Sequence, residues 1–369
     1  MKQLSVMFKP ASALCNLRCK YCFYADISSM RKVSSFGIME PETTEAILTT
    51  IRKELDPGDT ITLAFQGGEP TVAGLDYFRH FMGIVKQWEG IHVAYALQTN
   101  ATLLDEEWCR FLKEYDVLVG VSLDLHKTSH DRARVDAQGQ ATYGHVMDAI
   151  HLLEKYGVEY NILCTLTSEV AQYPDKVWKT ITKNDFRYVQ FTPCLDDLAS
   201  QESSPYALTP ERFASFYKQI FEYWLTDLKQ GKYRSIKLFD DIVNLLAFGQ
   251  PTACGINGVC QPQLVVEADG SVYPCDFYCL DQYCLGDFKE DALSTLFARS
   301  MRSPSKIQEP LTEVCSDCPY QKICGGGCKR MRREVFCGGK SGVCGYRELL
   351  DVSIRDFYLI ARDEVRFRR

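Results

Sequence analysis

Three cysteines, Cys15, Cys19 and Cys22, have the residue type and spacing that point most directly to chemistry. They form a C-x3-C-x2-C pattern just after a short apolar run at 4–8. Thiolates bind iron and zinc, but a closed zinc site or an ordinary cubane takes four ligands. A [4Fe–4S] cluster on three cysteines leaves one iron open to a substrate or cofactor, so the pattern predicts a reactive cluster. The alternative is half of a zinc site that is completed from elsewhere in the chain.

A second group of cysteines lies beyond residue 250. Its members are Cys254, Cys260, Cys275, Cys315, Cys318, Cys324, Cys328 and Cys344. Eight thiolates are enough to close two four-sulfur sites. A closed cluster has no open iron, so these sites would relay electrons and hold a loop-rich region together. Two structural zinc sites would fit the same spacings, and Cys337 competes with Cys344 as the last ligand.

Composition bounds the class of protein. The chain has 369 residues, is 46% hydrophobic and carries a net charge of −6, which favours neither nucleic acid nor an anionic membrane as a partner. No apolar run has the length of a membrane span, and we expect a cytoplasmic protein. The sequence contains 17 cysteines. In a reducing compartment such a number favours metal ligation over disulfides.

Strand-length apolar runs alternate with helical periods through the first part of the chain, as in βα units around a parallel sheet. The predicted strands are 4–8, 60–65, 92–97, 117–123, 158–166 and 188–193. The predicted helices are 42–55, 75–88, 106–114, 143–156, 174–184 and 210–228. Since a full barrel needs eight units, we predict an α/β fold with an open, partial (β/α)6 barrel over 1–234 and a loop-rich cysteine domain over 235–369.

Polar residues cluster where these strands end, which is the functional edge of such a sheet. The cysteine loop follows the first strand, and the second, third and fourth strands lead to Gln66, Gly67, Gly68, Glu69, Gln98 and Ser122. The two glycines would let backbone carbonyls approach a bound amino group, and Glu69 would add an acceptor. In most proteins a glycine pair before proline is only a tight turn.

The cysteine loop, with Tyr21 just before its last cysteine, resembles the cluster loop of radical S-adenosylmethionine enzymes. Gly67 and Gly68 with Glu69 are similar to the family's GGEP motif, which binds the methionine ammonium. The resemblance implies S-adenosyl-L-methionine on the open iron, with contacts from Tyr21 and Ser122. It also implies an arginine that grips the methionine carboxylate. Arg134 is our choice, Arg132 competes, and a surface arginine in a long loop is the structural alternative.

The later cysteines match the seven-cysteine pattern of the SPASM domain, apart from Cys254, which lies upstream. The resemblance implies two auxiliary [4Fe–4S] clusters, and hence three clusters in all. One would take Cys254, Cys260, Cys275 and Cys328, and the other Cys315, Cys318, Cys324 and Cys344.

Over most of its length the chain is similar to anaerobic sulfatase-maturating enzymes. The segments that carry this likeness include 64–71 (AFQGGEPT), 96–100 (ALQTN), 235–240 (SIKLFD) and 275–278 (CDFY). The resemblance implies oxidation of a Cys or Ser in a Cys/Ser-x-Pro/Ala-x-Arg motif of an unfolded sulfatase to formylglycine. Tyr24, Gln66, Gln98 and Leu195 would lie near S-adenosylmethionine or the peptide. Asp240 would be the general base, unless it only caps a helix over 242–248.

The predicted partners are an unfolded sulfatase or peptide and a flavodoxin- or ferredoxin-type electron donor. Two other functions remain open at this point. The shared motifs bind cofactor rather than substrate, so the chain could instead be a SPASM peptide maturase that forms a thioether or epimerises a residue. A non-enzymatic zinc-binding adaptor is the more distant alternative.

Overall fold

The computed structural model describes residues 1–198, 200, 202–307, 310–337 and 342–367, without the side chains of 366 and 367. The strands are β1 (Gln3–Phe8), β2 (Thr60–Phe65), β3 (His92–Thr99), β4 (Leu118–Ser122), β5 (Tyr160–Leu166), β6 (Tyr188–Pro193), β7 (Ser235–Ile236), β8 (Leu264–Val266), β9 (Ser271–Tyr273) and β10 (Gly286–Asp287). The longer helices are α1 (Phe23–Ser29), α2 (Pro41–Lys53), α3 (Leu75–Val85), α4 (Glu106–Glu114), α5 (Lys127–Ala133), α6 (Tyr143–Tyr156), α7 (Pro174–Lys183), α8 (Pro210–Lys229), α9 (Lys237–Phe248) and α10 (Leu293–Met301). Three short helices, α11 (Glu313–Ser316), α12 (Gln321–Cys324) and α13 (Lys329–Met331), precede α14 (Gly345–Phe367).

The chain forms two compact units, each assembled from separate segments. The first unit comprises Met1–Ser122, Asp131–Tyr160 and Pro262–Ile307. The second unit comprises Leu123–His130, Asn161–Gln261 and Gln308–Arg369. In the first unit β1, β2, β3 and β4 lie side by side and parallel, β8 pairs parallel with the other edge of β1, and β9 and β10 continue antiparallel. In the second unit β5, β6 and β7 are parallel.

An aromatic core fixes the strands that carry the cysteine loop and the glycine loop. The Phe8 ring lies 5.0 Å from that of Phe81, and Phe65 lies 4.9 Å from Phe81 and 5.0 Å from Phe78. All four side chains are buried. Burial of a phenylalanine contributes roughly 1.5–3 kcal/mol, so α3 is held firmly on β1 and β2. The carboxyl ends of these strands are therefore rigid points from which the loops begin.

The second unit has its own aromatic core, where α8, α9 and α14 meet. Phe239 packs 5.2 Å from Trp224 and 5.6 Å from both Phe221 and Phe357. Helix α8 starts where a helix should, because the Thr209 hydroxyl accepts a hydrogen bond from the Arg212 amide and Pro210 occupies the first turn. None of the described helices is long and apolar enough to cross a membrane.

The predicted strands and helices are all present, most of them with shifted ends, but one expectation and two of the alternatives are wrong. Gln98 lies inside β3, which continues to Thr99, rather than after it. Helix α5 occupies the segment that was read as a long loop before Arg134. Asp240 lies in the first turn of α9, which begins at Lys237, so it does not cap that helix. The boundary between 234 and 235 stays a prediction.

Candidate active site

The cysteine loop and the glycine loop of the first unit are joined backbone to backbone. The amide of Gly68 donates to the carbonyl oxygen of Ser12 at 2.8 Å, and the amide of Glu69 donates to that of Leu14 at 2.8 Å. A Cβ on Gly68 would lie 2.1 Å from the Leu14 carbonyl oxygen, so only glycine fits. Gly67 adopts a φ of +134°, which also favours glycine. The glycine pair is therefore required by a close approach to the cysteine loop.

Glu69 ties the ends of β2 and β3 together beneath this contact. One carboxylate oxygen accepts from the hydroxyls of Thr71 and Thr99, each at 2.7 Å, and the other accepts from the Asn100 amide at 2.7 Å. Burial raises the pKa of Glu69, and these hydrogen bonds oppose the shift. The side-chain amide of Asn100 donates to Asn16 at 2.8 Å and lies 3.9 Å from the Cys15 sulfur. Glu69 thus positions the start of the cysteine loop.

Arg134 lies against the cysteine loop. The amides of Arg18 and Lys20 donate to the carbonyls of Val135 and Ala133, at 2.7 and 2.9 Å. The Arg134 guanidinium carbon is 5.4 Å from the centre of the Tyr21 ring. Arg134 is 8% exposed, so the description of a surface arginine is wrong for it. Arg132 is exposed, and the placement favours Arg134 as the carboxylate-binding residue.

A buried ion pair follows directly after the auxiliary cysteine Cys275. The ammonium of Lys9 is fully buried and lies 2.5 Å from a carboxylate oxygen of Asp276. The other Asp276 oxygen accepts a hydrogen bond of 2.9 Å from the side-chain amide of Gln66. Burial opposes the charge on Lys9, but Asp276, Cys279 and Glu267 together outweigh it and the pKa of Lys9 is raised. The predicted residue Gln66 and a carboxylate that sequence reasoning missed are therefore in direct contact.

Tyr24 belongs to a second buried charge pair behind the first. Its hydroxyl is hydrogen-bonded to Glu267, which also pairs with Arg31 at 2.6 Å. The Lys9 ammonium lies 3.7 Å from the centre of the Tyr24 ring, where a cation is stabilised by the ring's negative face. Burial and the Glu267 charge raise the pKa of Tyr24 well above its usual value. Tyr24 is 2% exposed, so its side chain belongs to the buried layer around Lys9.

The other predicted residues are placed as follows. Gln98 is the next-to-last residue of β3, and Ser122 is the buried last residue of β4. Leu195 follows β6 in the second unit. Asp240, also in the second unit, accepts hydrogen bonds from the hydroxyls of Tyr233, at 2.9 Å, and Ser235. Burial raises the pKa of Asp240, although these two hydrogen bonds oppose the shift.

The second unit contains a cavity of about 160 Å³ whose walls are rich in thiols. The cysteines that line it are Cys254, Cys315, Cys318, Cys324, Cys328, Cys337 and Cys344. Glycines bring the loops together, because a Cβ on Gly258 would lie 2.4 Å from the Gly325 carbonyl oxygen and one on Gly255 would lie 2.8 Å from the Cys328 Cβ. Cys260 is also in the second unit, and Cys275 is in the first.

The donor set of the chain fits iron–sulfur clusters. None of the 17 cysteines forms a disulfide bond, so their thiols are available as ligands. No three His, Cys, Asp or Glu side chains of the described residues converge as ligands of a single ion would. The ligands of a four-iron cluster bind different irons and stand further apart.

Comparison with known proteins decides the family. The model of the radical SAM superfamily matches residues 10–172, and the SPASM model, an iron–sulfur cluster-binding domain, matches 254–319. A cysteine-type anaerobic sulfatase-maturating enzyme of Clostridium novyi is 41% identical over 344 residues, which cover 92% of this chain and 91% of that protein. The chain belongs to the anaerobic sulfatase-maturating enzymes. A serine-type member from Bacteroides thetaiotaomicron is 28% identical over 361 residues, 93% of this chain and 86% of that one.

Solved structures agree with this membership. A solved structure described as native anSMEcpe with bound AdoMet and Kp18Cys peptide is similar to this chain, with a TM-score of 0.88 and 36% sequence identity. The match covers 98% of this chain and 99% of that chain. The structure of Streptococcus suis SuiB bound to S-adenosylmethionine has a TM-score of 0.59 at 16% identity, over 89% of this chain and 73% of the SuiB chain. At this identity the likeness shows the fold alone. The predicted fold class is confirmed. The predicted function, a radical S-adenosylmethionine enzyme that matures sulfatases, is confirmed as well.

Membership in the sulfatase-maturating enzymes also confirms the cofactor classes, because the two domains imply iron–sulfur clusters and S-adenosylmethionine, and three clusters fit the family. The zinc-binding adaptor is ruled out. Sequence reasoning missed Lys9, Arg31, Glu267 and Asp276. Asp276 had a signal, because it directly follows the predicted ligand Cys275 within a segment that carried the family likeness.

Proposed function

We propose that this chain is a cysteine-type enzyme, which oxidises a cysteine in a Cys-x-Pro-x-Arg segment of an unfolded sulfatase to formylglycine. The observation that carries the proposal is the difference in identity between the 41% shared with a cysteine-type relative and the 28% shared with a serine-type relative, both over nine tenths of the chain. A flavodoxin- or ferredoxin-type protein would supply electrons, and the cytoplasm, where sulfatases are still unfolded, would be the place of reaction.

The first unit would hold the reactive end of the cofactor. Cys15, Cys19 and Cys22 would bind the cluster with an open iron, the backbone of the Gly67–Gly68 loop would accept from the methionine ammonium, and Arg134 would bind the carboxylate. Tyr21, Gln98 and Ser122 of the same unit would add further cofactor contacts, and Leu195 of the second unit is proposed from the family likeness alone. When bound, S-adenosylmethionine and its cluster remove one hydrogen atom from the substrate, and the auxiliary clusters accept one further electron.

We propose that Asp276, rather than Asp240, is the base that accepts the proton of the substrate's thiol. Loss of a hydrogen atom from Cβ, together with a proton and an electron from the thiol, leaves a carbon–sulfur double bond. Water converts this group to the aldehyde and releases hydrogen sulfide. Asp276 belongs to the same unit as the cysteine loop and contacts Gln66 of the glycine loop, whereas Asp240 belongs to the second unit and accepts from Tyr233 and Ser235. Asp240 remains the second candidate, since its burial also suits a base.

The peptide experiment tests the substrate class. Reconstituted protein is incubated without oxygen with reductant, S-adenosylmethionine and one of three peptides, bearing Cys-x-Pro-x-Arg, Ser-x-Pro-x-Arg or Ala-x-Pro-x-Arg. Mass spectrometry should find formylglycine in the cysteine peptide, much less in the serine peptide and none in the alanine control. The absence of formylglycine in the cysteine peptide would overturn the proposal. Equal conversion of the cysteine and serine peptides would contradict only the assignment to the cysteine type.

Paired substitutions test the base. Asp276→Asn keeps the shape of the side chain but removes its ability to take a proton, so aldehyde formation should fall about 10²–10⁴-fold while 5′-deoxyadenosine is still made. Asp240→Asn should keep most of its aldehyde yield. The reverse pattern would return the role to Asp240. Loss of 5′-deoxyadenosine in Asp276→Asn would show instead that this carboxylate supports cofactor binding.

A further inference from the structure

The second unit brings one thiol more to a cluster site than the cluster needs. Cys315, Cys318, Cys324 and Cys344 form the proposed ligand set of one auxiliary cluster, and all four line the thiol-rich cavity. Cys337 lines the same cavity. Four thiolates close a cubane, so the fifth has no place in the ligand set.

Contacts place Cys337 beside two of the four proposed ligands. Its sulfur is 3.4 Å from that of Cys315, and its thiol is hydrogen-bonded to Cys344. Cys109 and Cys164, by contrast, are fully buried in a helix and a strand and behave as small core residues. Cys337 therefore contacts the ligand set directly.

The backbone holds Cys337 in this place. Its amide donates to the carbonyl oxygen of Arg332 at 2.7 Å. The buried guanidinium of Arg332 donates in turn to the carbonyl oxygens of Gly326, at 2.8 Å, and Gly327, at 3.3 Å, in the turn between Cys324 and Cys328. One residue thus fixes both Cys337 and the turn that carries two proposed ligands.

Cys344 occupies a different environment. It precedes α14, and its sulfur accepts a hydrogen bond of 3.4 Å from the Arg347 amide in the first turn of that helix. Backbone donors at a helix start stabilise a thiolate. Cys344 is therefore the resting ligand, and Cys337 is the neighbour that donates to it.

We propose that Cys337 is a reserve ligand of this auxiliary cluster, able to replace Cys344; the proposal rests on the proposed function and on the ligand set that the SPASM resemblance implies. In the exchange one iron–sulfur bond to Cys344 breaks and one to Cys337 forms. The Cys337 proton passes to the Cys344 sulfur along the existing hydrogen bond, so charge and electron count are unchanged. The arrangement would let the site keep its iron when Cys344 is displaced or oxidised.

Iron analysis of the full-length reconstituted chain tests this exchange. Wild type should carry about twelve irons, and Cys344→Ala and Cys337→Ala should each keep about twelve, because the other thiol closes the site. The double variant should lose about one third of the iron. Cys284→Ala is the matched control, since this exposed thiol donates a hydrogen bond to the Gly286 carbonyl oxygen and lies outside the thiol-rich cavity. Iron loss in Cys344→Ala equal to that of the double variant would overturn the reserve role.

Thiol labelling gives a second readout that does not depend on activity. The loaded protein is treated with iodoacetamide, and labelled peptides are identified by mass spectrometry. Cys337 should be labelled in wild type and protected in Cys344→Ala, whereas labelling in both would refute the exchange. Cys344→Ser, which nearly keeps the size of the side chain, is used in the same way if the alanine variant does not fold. A wild type without iron would instead remove the proposed clusters themselves.

Discussion

The two cysteine regions of the chain differ in their surroundings, although each contains buried charge, including Arg332 in the second unit. Around the reactive cysteine loop, the first unit buries ions, and Lys9, Glu69, Arg31 and Glu267 are all 5% exposed or less. Around the thiol cavity, the second unit places glycines and aromatic side chains such as Phe213 and Phe336. Burying a charge is costly unless the charge is paired. Paired buried charges are therefore expected where a polar cofactor must be bound, as in the first unit. Closed clusters need only thiolates and a tight shell.

The largest expected effect comes from removing the two ligand sets separately. Replacing Cys15, Cys19 and Cys22 by Ala should abolish reductive cleavage of S-adenosylmethionine, because no open iron remains to orient it. Replacing Cys315 and Cys318 by Ala should spare part of the cleavage and stop formation of the aldehyde. Chromatography of 5′-deoxyadenosine measures cofactor cleavage, and mass spectrometry of the peptide measures aldehyde formation. Equal loss of cleavage in a folded Cys315 and Cys318 variant would contradict the division of roles.

A glycine substitution tests how closely the first unit holds its loops. Gly68→Ala would push a Cβ into the Leu14 carbonyl oxygen, 2.1 Å away, and separate the glycine and cysteine loops. A displacement of about 1 Å at a reacting centre costs about 10²-fold in rate, so cleavage should fall by about that factor. Gly83→Ala is the control, since nothing lies within 4 Å of its Cβ position in α3. That variant should gain about 0.5–1 kcal/mol of stability. Similar cleavage in both variants would contradict the close approach.

A third pair of variants, read out in stability rather than in activity, compares buried with exposed charge. Lys9→Met leaves the Asp276 carboxylate without its cation, and breaking a buried pair typically costs about 3–5 kcal/mol. Lys2→Met removes a lysine that pairs with Asp56 at the surface, so its midpoint should match wild type. Chemical unfolding of the full chain, followed by circular dichroism under anaerobic conditions, measures the two. An unchanged midpoint in Lys9→Met would show that the pair does not stabilise the first unit.

Local patterns made the main elements predictable. The bounds of β2, β6, α4 and α6 match the predicted bounds residue for residue, because each is a regular apolar run between turn residues. The alternative for Asp240, a cap on a helix over 242–248, is wrong because α9 starts at Lys237 without a capping side chain. Helix α5 was missed because KTSHDRA has few apolar residues.

Features that depend on distant residues could not be predicted. Strand β8 has three residues, and its pairing with β1 and β9 makes it part of a sheet. The buried charges join positions far apart in the sequence, such as Arg31 with Glu267 and Lys9 with Asp276. A lone lysine or glutamate carries no signal of its partner. The spacing of the cysteines did carry such a signal, because ligand sets repeat fixed intervals.

The pairing of β1 with β8 has a consequence for biosynthesis. As the chain leaves the ribosome, β1 pairs with β2 early, but its other edge at Val6–Phe8 has no strand beside it until Leu264–Val266 has been made. An unpaired edge is a template for association with other chains. A nascent chain stalled before that point would expose this edge beside the cysteine loop. Chaperone capture of such intermediates would therefore improve the yield of intact enzyme.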